Sequence, residues 1–314
     1  MRQVHIGRKN IEALDICSFE LMDPEGRALP PFAAGAHIDV HPDGGPVRQY
    51  SLCNDSLETH RYQIAVLRDP ASRGGSVAMH ALEVGQTLRI SDPKNHFPLA
   101  PHARHSILLA GGIGITPILC MAERLWHTGA SFDLHYCTRS VARAAFVRRI
   151  REAAFAGRVR FYFDDEGQQL DARRVLDKPQ AEVHLYVCGP TGFMDWILGA
   201  ARDDGWPEER LHREYFAAAP ANRHDDGGFE VQIASTGAVI RVLPEQSVVA
   251  ALADVGIEVP ISCEQGVCGT CITRVLEGTP DHRDLFLTDD ERTRGDQFTP
   301  CCSRAKSARL VLDL

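Results

Sequence analysis

The sequence lacks any apolar run long enough to cross a bilayer, which takes about 20 consecutive apolar residues. Its first ten residues, MRQVHIGRKN, hold no apolar core of the signal-peptide kind, so we expect neither export nor a membrane partner. Positive charge is also scarce: 34 Lys and Arg face 42 Asp and Glu, for a formal net charge of −8. That balance argues against nucleic acid as a partner. Repeats and low-complexity tracts are missing too, and the 314 residues suffice for two or three globular domains.

Cysteine, by contrast, is plentiful, and four of the ten cysteines share a diagnostic spacing near the C-terminus. They are Cys263, Cys268, Cys271 and, after 29 intervening residues, Cys301. C-x4-C-x2-C with a distant fourth cysteine is the plant-type ligand pattern of a [2Fe–2S] cluster. Gly266 and Gly269 allow the loop to turn sharply around the sulfur atoms. Structural zinc is the alternative, but such sites usually pair two short Cys knuckles or include histidines.

The remaining six cysteines are scattered along the chain or lie in apolar stretches; they are Cys17, Cys53, Cys120, Cys137, Cys188 and Cys302. Without export, free thiols are expected, and so is a cytoplasmic location. The 14 histidines form no ligand-spaced pair beside the motifs, and His96, His102 and His105 are expected at the surface.

Hydrophobic patterning divides the chain into three parts. Residues 1–102 show short alternating runs broken by Pro and Gly, namely Ile11–Leu21, Ala36–Val40, Tyr62–Leu67 and Thr87–Ile90, which predict a small antiparallel β-barrel. Residues 103–220 alternate strand-like and helical runs, as a doubly wound parallel α/β domain does. Residues 221–228 are polar and Gly-rich and predict a linker. Residues 229–314 carry the cysteine motif on an α+β domain that opens with two strands and a helix.

In the α/β part, the predicted strands and helices follow one another closely. In chain order they are Ser106–Ala110, Pro117–Thr128, Phe132–Cys137, Ala144–Ala153, Val159–Phe163, Val183–Cys188, Phe193–Arg202 and Arg210–Phe216. The third part is predicted to open with strands Phe229–Ala234 and Val239–Leu243 and helix Ser247–Val255.

Two motifs in the first part are weak alone and stronger together. Arg48-Gln-Tyr-Ser-Leu52 ends a probable strand, where an Arg and a Tyr are usually a solvated charge and core packing. About 25 residues later, Ser72-Arg-Gly-Gly-Ser-Val77 offers backbone N–H groups, hydroxyls and a guanidinium, which suit a phosphate. The plain alternative for the second motif is a flexible loop.

Two strand-to-helix turns of the α/β part are candidate nucleotide sites. Ala110-Gly-Gly-Ile-Gly-Ile-Thr-Pro-Ile118 follows one strand, and Tyr186-Val-Cys-Gly-Pro-Thr-Gly192 follows another. Ligands of open α/β sheets bind outside the carboxyl ends of the strands, where both turns are expected. Glycines there let a pyrophosphate approach the helix N-terminus. Asp164-Asp-Glu166 can bind ribose hydroxyls or can equally be an acidic strand end.

Taken in this order, the motifs resemble those of the oxygenase reductases of the phthalate dioxygenase reductase and vanillate O-demethylase reductase family, within the ferredoxin–NADP reductase superfamily. The resemblance covers essentially the whole chain. It implies an N-terminal flavin-binding barrel, a central NAD-binding domain and a C-terminal β-grasp-like, plant-type ferredoxin. FMN, NADH and a [2Fe–2S] cluster are the cofactors it implies, with FAD as the less favoured flavin.

The resemblance also assigns roles to residues. Arg48 is expected at the flavin phosphate, Tyr50 against the isoalloxazine and Ser51 near its N5. The rest of the expected cofactor-binding set is Gln49, Leu52, Gly74, Gly75, Ser76, Gly111, Gly112, Gly114, Thr116, Cys188, Gly189, Pro190 and Phe216. Ser51, Thr116 and Cys188 are the expected catalytic residues, with Cys188 leaving room beside the nicotinamide. Phe216 is expected over the other flavin face, although an aromatic residue after a strand is often core.

Two assignments have an alternative: the fourth cluster ligand and the nucleotide. Cys301 and Cys302 are adjacent, and the family pattern Cys-x-Ser-Arg selects Cys301 as the fourth ligand, which leaves Cys302 as a packed thiol. NADH is preferred on the resemblance, but Arg139 and Arg143 stand near the position where a 2′-phosphate would be bound, so the residues alone do not exclude NADPH.

The function implied is a reductase that takes a hydride from NADH onto flavin and passes single electrons through the cluster to a Rieske-type oxygenase or O-demethylase component. A monomer with a transient, electrostatic partner contact is expected, because residues 228–314 hold 13 acidic against 8 basic residues. One alternative is a self-contained reductase of a small-molecule acceptor. The other is a non-catalytic iron–sulfur sensor.

Overall fold

The structure is a computed structural model that describes residues 1–42, 45–70, 74–176, 181–216 and 227–314. It divides into two compact units, Met1–Glu214 and Tyr215–Leu314. Across the described ranges, no helix combines the length and the apolarity that a bilayer crossing requires.

The first part of unit one is an antiparallel sheet rolled into a barrel. Its elements are β1 (Arg2–Ala13), β2 (Ile16–Met22), β3 (Ala36–His41), β4 (Arg48–Ser51), β5 (Tyr62–Leu67), α1 (Gly75–Ala81), β6 (Thr87–Ile90) and β7 (Lys94–Asn95). The strand order is β4-β3-β6-β1-β2-β5, with β7 added to β3. A bridge between Leu52 and Ile64 joins the two end strands, which closes the barrel.

The predicted run Ile11–Leu21 is two strands rather than one. β1 and β2 pair as an antiparallel hairpin, and Asp15 takes a positive φ of 61° in the turn between them. Asp is one of the few non-glycine residues that tolerate this conformation, so an alternating pattern that continued through the turn concealed it.

The second part of unit one is a five-stranded parallel sheet with helices. Its elements are β8 (His105–Gly111), α2 (Ile115–His127), β9 (Ser131–Thr138), α3 (Val147–Glu152), β10 (Val159–Phe163), α4 (Ala172–Leu176), β11 (Val183–Cys188), α5 (Thr191–Asp203) and β12 (Leu211–Glu214). The strand order β10-β9-β8-β11-β12 is doubly wound. The order reverses between β8 and β11, so a crevice is expected at their carboxyl ends.

The barrel and the parallel sheet share one hydrophobic core within unit one. Buried side chains of both parts, such as Ile38 and Leu52 of the barrel and Ile118 and Tyr186 of the sheet, belong to a single cluster. The Tyr186 hydroxyl accepts a hydrogen bond of 2.7 Å from the Ala100 N–H. The predicted boundary at residues 102/103 therefore crosses a continuous core.

Unit two is a small mixed sheet with two helices. Its elements are β13 (Phe229–Ile233), β14 (Val239–Val242), α6 (Val248–Ala253), β15 (Thr273–Glu277), β16 (Pro280–Asp281), α7 (Asp289–Arg294), β17 (Gln297–Phe298), β18 (Arg304–Ala305) and β19 (Arg309–Leu312). The main sheet runs β14-β13-β19-β15-β17, with β13 and β19 parallel, and β16 pairs with β18. Most of the predicted linker 221–228 lies outside the described residues.

Candidate functional site

The motif predicted to bind flavin lies on β4, and its Ser51 reaches Glu214 at the end of the parallel sheet's β12. Ser51 is directly opposite His37 of β3, and Leu52 is fully buried. The Gln49 amide donates to Asp39 at 2.9 Å, so its side chain is held by the barrel itself. Tyr50 is half-buried against the shared core, and burial raises the pKa of its hydroxyl to about 12. A neutral aromatic ring is therefore available beside the backbone of β4.

The second motif of the barrel meets the first one directly. A Cβ atom placed on Gly75 would lie 2.7 Å from Cγ of Arg48 and 3.2 Å from its Nε, so only glycine fits there without displacing the guanidinium. Gly74 has a positive φ of 97°, and Ser76 accepts a hydrogen bond from the Asp69 N–H. The fold thus brings together Arg48 and the backbone of Gly74–Ser76, as the prediction of a shared phosphate site requires. Ser72 and Arg73 of the same motif lie outside the described residues.

The two glycine-containing turns of the parallel sheet interlock at its carboxyl edge. A Cβ atom on Gly114 would stand 2.2 Å from the Cys188 carbonyl oxygen, and one on Gly189 would stand 2.9 Å from Cα of Gly111. Gly112 has a positive φ of 54° in the 3₁₀ turn that leads into α2. These contacts require backbone without side chains, so the N-terminus of α2 faces the Cys188–Pro190 turn across the switch point.

Thr116 and Cys188 are both buried at this edge. The Thr116 hydroxyl donates to the Ile113 carbonyl at 3.0 Å, which ties it to the turn. Cys188 is fully buried at the end of β11. Burial, and then the nearby Glu214 carboxyl, raise the pKa of the Cys188 thiol well above its ordinary value. The thiol is therefore neutral, and it can fill space beside a ligand but cannot act as a thiolate nucleophile.

Glu214 is the functional candidate that sequence reasoning missed. It ends β12 opposite Cys188, and its Oε2 accepts a hydrogen bond of 2.9 Å from the Ser51 hydroxyl. Burial raises the pKa of Glu214 to about 7, although the Ser51 hydrogen bond lowers it in part. The sequence signal was a carboxylate at the end of the predicted strand Arg210–Phe216. Its partner lies 163 residues away in the chain, which no local pattern reveals.

Unit one thus gathers the predicted residues Ser51, Cys188, Gly111, Gly114 and Gly189 around one edge where barrel and sheet meet. A flavin ring held by the barrel and a nucleotide bound between the carboxyl ends of β8 and β11 can approach each other there. Phe216 belongs to the second unit and is 38% exposed, so its predicted place over the flavin stays a prediction.

The cysteine loop of unit two is tightly wound and buried. The four predicted ligand thiols, Cys263, Cys268, Cys271 and Cys301, belong to residues that are at most 6% exposed. A Cβ on Gly266 would stand 2.4 Å from Sγ of Cys302, and one on Gly269 would stand 2.4 Å from the Phe286 ring. Both glycines also have positive φ values, 72° and 67°. The loop conformation therefore demands glycine twice.

The four thiols are arranged as two pairs. The Cys263 thiol lies beside that of Cys268, and the Cys301 thiol lies beside those of Cys271 and Cys302. Among the residues that the structure describes, no three His, Cys, Asp or Glu side chains converge as a single-ion site. Two thiolates for each of two irons is the donor set of a [2Fe–2S] cluster. The Gln265 N–H points at Cys263 Sγ from 3.4 Å, as N–H groups around cluster sulfurs do.

Cys302 is half-buried, and its side chain contacts Cys301 and Thr299. Its Sγ lies 3.3 Å from the Thr299 hydroxyl and against Gly266. Cys301 is the thiol that pairs with Cys271. This arrangement supports Cys301 as fourth ligand, and the choice stays a prediction.

Comparison with known proteins places these sites in a wider context. The family model described as the 2Fe-2S iron-sulfur cluster binding domain matches residues 231–306. A vanillate O-demethylase oxidoreductase of Pseudomonas putida is 59% identical over 309 residues, which cover 98% of each chain. A tetrachlorobenzoquinone reductase of Sphingobium chlorophenolicum is 42% identical over 96% of this chain and 94% of its own. The solved structure of a phthalate dioxygenase reductase, described as modular for electron transfer from pyridine nucleotides to [2Fe-2S], superposes with a TM-score of 0.79 at 41% identity, over 99% of this chain and 97% of that one.

Proposed function

Because the chain belongs to the family of flavin and [2Fe–2S] oxygenase reductases that includes phthalate dioxygenase reductase and vanillate O-demethylase oxidoreductase, we propose that it delivers electrons from NADH to the terminal component of an aromatic O-demethylase. The chain is an oxidoreductase, and NADH, FMN and a [2Fe–2S] cluster are its cofactors. The proposal is carried by the 59% identity to a vanillate O-demethylase oxidoreductase across nearly both full lengths. A methoxyaromatic acid is the corresponding substrate of the partner.

When bound, FMN and the cluster supply hydride acceptance and one-electron transfer. The protein's part is to orient the cofactors and to exclude water from them. Arg48 and the backbone of Gly74–Ser76 hold the phosphate end of the flavin, and β4 presents Tyr50 and Ser51 to its ring. The Gly111–Gly114 turn and the N-terminus of α2 hold the pyrophosphate. The neutral, compact Cys188 leaves space for the nicotinamide to approach the flavin.

A bound cluster would be held by two thiolates on each iron, Cys263 with Cys268 and Cys271 with Cys301. The buried position of all four sulfurs keeps water from the cluster, and the Gln265 N–H near Cys263 favours the thiolate form of that ligand. The donor set, the pairing and the two obligatory glycines all fit this cluster.

The partner is proposed to be a Rieske-type oxygenase that docks transiently to a monomer in the cytoplasm. Residues 228–314 of unit two contain 13 acidic and 8 basic residues. A basic patch near the partner's redox centre would therefore steer association. None of the ten cysteines is joined in a disulfide bond, which is compatible with a reducing compartment.

The proposal is tested by reconstitution. Purified protein is mixed with NADH and the oxygenase component of a vanillate O-demethylase, and demethylation is followed. We expect turnover that requires both proteins. Full NADH oxidation with no demethylation, together with rapid reduction of an added quinone, would contradict it.

A second candidate is direct reduction of a small acceptor. The 42% identity to a tetrachlorobenzoquinone reductase favours it, because the match spans 96% of this chain and 94% of that relative. The discriminating measurement is kcat/KM for a halogenated quinone against that for the oxygenase component. If the quinone value is the higher by more than about tenfold, which is 1.4 kcal/mol in transition-state free energy, the second function is preferred.

A further inference from the structure

A buried histidine stands behind the Ser51–Glu214 pair. His37 lies directly opposite Ser51 in the β3–β4 ladder, and its Nδ1 is 3.9 Å from Oε1 of Glu214. Its side chain is only 5% exposed, yet its Nε2 has no hydrogen-bond partner within the part of the chain that the structure describes. Such a nitrogen costs about 1–3 kcal/mol, so its presence calls for an explanation.

A second histidine continues the line outward. The His96 ring is 5.4 Å from the His37 ring between centroids, and His96 is exposed. Ser51, Glu214, His37 and His96 thus form a series of exchangeable groups that starts in the buried edge and ends at solvent. The 3.9 Å between His37 and Glu214 is longer than a hydrogen bond, and one water or a small ring rotation spans it.

The proposed function creates a need for such a series. Oxidation of NADH gives NAD⁺, one proton and two electrons. The two electrons leave one at a time through the cluster to the acceptor. The proton has to reach bulk water from a buried site. This requirement rests on the proposed function and holds for any one-electron acceptor.

We propose that His37 and His96 are the outer half of a proton relay that carries this proton from Ser51 and Glu214 to solvent. The first step moves a proton from the Glu214 carboxyl to a ring nitrogen of His37, which releases its other ring proton toward His96. No bond other than N–H and O–H bonds is made or broken. His96 then exchanges the proton with water.

The electrostatics of the neighbourhood fit a transient carrier. Burial, and then His96, lower the pKa of His37 to about 4, so the ring is neutral at rest and does not retain a proton that reaches it. Glu214, with its pKa near 7, gives up a proton readily around neutrality. The other groups that face His37 are Asp39, which favours its charged form, and Lys94, which disfavours it; Ser51 and Cys188 face Glu214. Lys94 and Asp39 are paired at 2.7 Å, so their effects largely cancel.

Stopped-flow mixing tests the relay by timing protons against electrons. Holoprotein reduced with one equivalent of NADH is mixed with ferricyanide in weak buffer that contains a pH-indicator dye. Flavin and cluster absorbance report electrons, and the dye reports proton release. We expect His37→Gln and His96→Gln to delay proton release at least about tenfold relative to electron transfer, within the range for removal of a proton-transfer group. Added imidazole should restore the timing in His96→Gln, whose site is open to solvent.

His105→Gln is the matched control. His105 also lies beside a carboxylate, with Nε2 3.3 Å from Asp133, but at the amino end of β8 and away from the switch point. Its substitution should leave the dye signal unchanged. An equal delay in this variant would overturn the relay, because the delay would then be general.

A second readout does not depend on turnover. Nitrogen-15 NMR of oxidised holoprotein measures exchange of the His37 ring N–H with water. The relay predicts fast exchange in the natural chain and at least about tenfold slower exchange in His96→Gln, the same margin as above. Unchanged exchange in that variant contradicts the relay, even if His37→Gln does not fold.

The two levels of failure are separable. If NADH does not reduce the flavin of the natural chain, the proposed function fails. If reduction is normal in every variant, dye timing is unchanged in His37→Gln and His96→Gln, and exchange of the His37 ring N–H is unchanged in His96→Gln, only the relay fails.

Discussion

At the residue scale, the charge of the Glu214 carboxyl changes with pH near neutrality, because burial raises its pKa to about 7. Its folded pKa of about 7 lies above the ordinary 4.5, so the folded chain binds more protons than the unfolded chain between these values. The stability that this group contributes is therefore complete below about pH 4.5 and is lost as the pH rises through 7.

Substituting Glu214 with Gln should remove this dependence. The difference in unfolding free energy, variant minus natural chain, is expected to rise between pH 5 and 8.5 by up to about 3 kcal/mol. All three tryptophans, Trp126, Trp196 and Trp206, lie in unit one, so their fluorescence in denaturant reports this unit in flavin-depleted protein. A constant difference across the pH range would show that Glu214 titrates normally.

The adjacent cysteines give a second prediction at the same scale. Cys301→Ser should lose most of its iron and acid-labile sulfide, because the Cys271 pair is broken. Cys302→Ser should keep both at close to two per chain, because the Cys302 side chain packs beside Cys301 and Thr299 and is not one of the four predicted ligands. Iron and sulfide analysis measures this. Equal loss from the two variants would refute the ligand choice.

Residue-level prediction was possible where spacing carries the information. The four thiols could be singled out because a [2Fe–2S] cluster fixes the intervals between them. Glu214 and His37 could not be singled out, because their roles depend on contacts made only in the folded chain. Glu214 accepts a hydrogen bond from Ser51, which is 163 residues away, and His37 lies opposite Ser51 in the β3–β4 pairing.

At the scale of elements, the glycine turns govern how the sheet edge is built. Gly114→Ala would drive a methyl group against the Cys188 carbonyl, which stands 2.2 Å from the new Cβ and is backbone. We expect destabilisation of unit one by at least about 1–3 kcal/mol, as for overpacked cores, with weaker NADH binding. Tryptophan fluorescence in denaturant and the KM for NADH measure the two effects.

Gly199→Ala is the control for this prediction. Gly199 lies within α5, and a Cβ there meets nothing within 4 Å. Alanine should stabilise the helix by up to about 1 kcal/mol. If both substitutions had the same effect, the close approach at Gly114 would not be a constraint.

Prediction of elements was best for strands buried in the parallel sheet. Val159–Phe163 and Val183–Cys188 begin and end at the predicted residues. Both runs are rich in Val and aromatic residues, which favour strands, and each is flanked by polar or turn-forming residues. The helix predicted over Ala144–Ala153 begins only at Val147, because Phe146 takes a positive φ of 61°. Two-residue strands such as β7 arise from tertiary pairing alone and leave no sequence signal.

At the scale of the whole molecule, charge should govern how the reductase finds its acceptor. The acidic excess of residues 228–314 predicts that the second-order rate of electron transfer to the oxygenase falls as ionic strength rises. Stopped-flow measurements from about 20 to 500 mM salt span the range over which screening becomes strong. A rate that does not change with salt would leave this acidity as a solubility feature only.

Nucleotide choice is also a property of the assembled unit. We expect kcat/KM for NADH to exceed that for NADPH. Arg139→Ala is expected to lower the residual NADPH value further, because Arg139 ends the strand region where a 2′-phosphate would bind. Steady-state kinetics with both nucleotides decide, and a higher value for NADPH in the natural chain would reverse the assignment.

In the proposed function, this chain transfers electrons to a protein oxygenase. The most direct test of this transfer is an anaerobic single turnover, in which NADH-reduced holoprotein is mixed with the oxidised oxygenase component of a vanillate O-demethylase and cluster reoxidation is followed. The account predicts rapid, saturable reoxidation with matching reduction of the partner. Reoxidation no faster than with an unrelated protein, alongside fast reoxidation by a quinone, would contradict it.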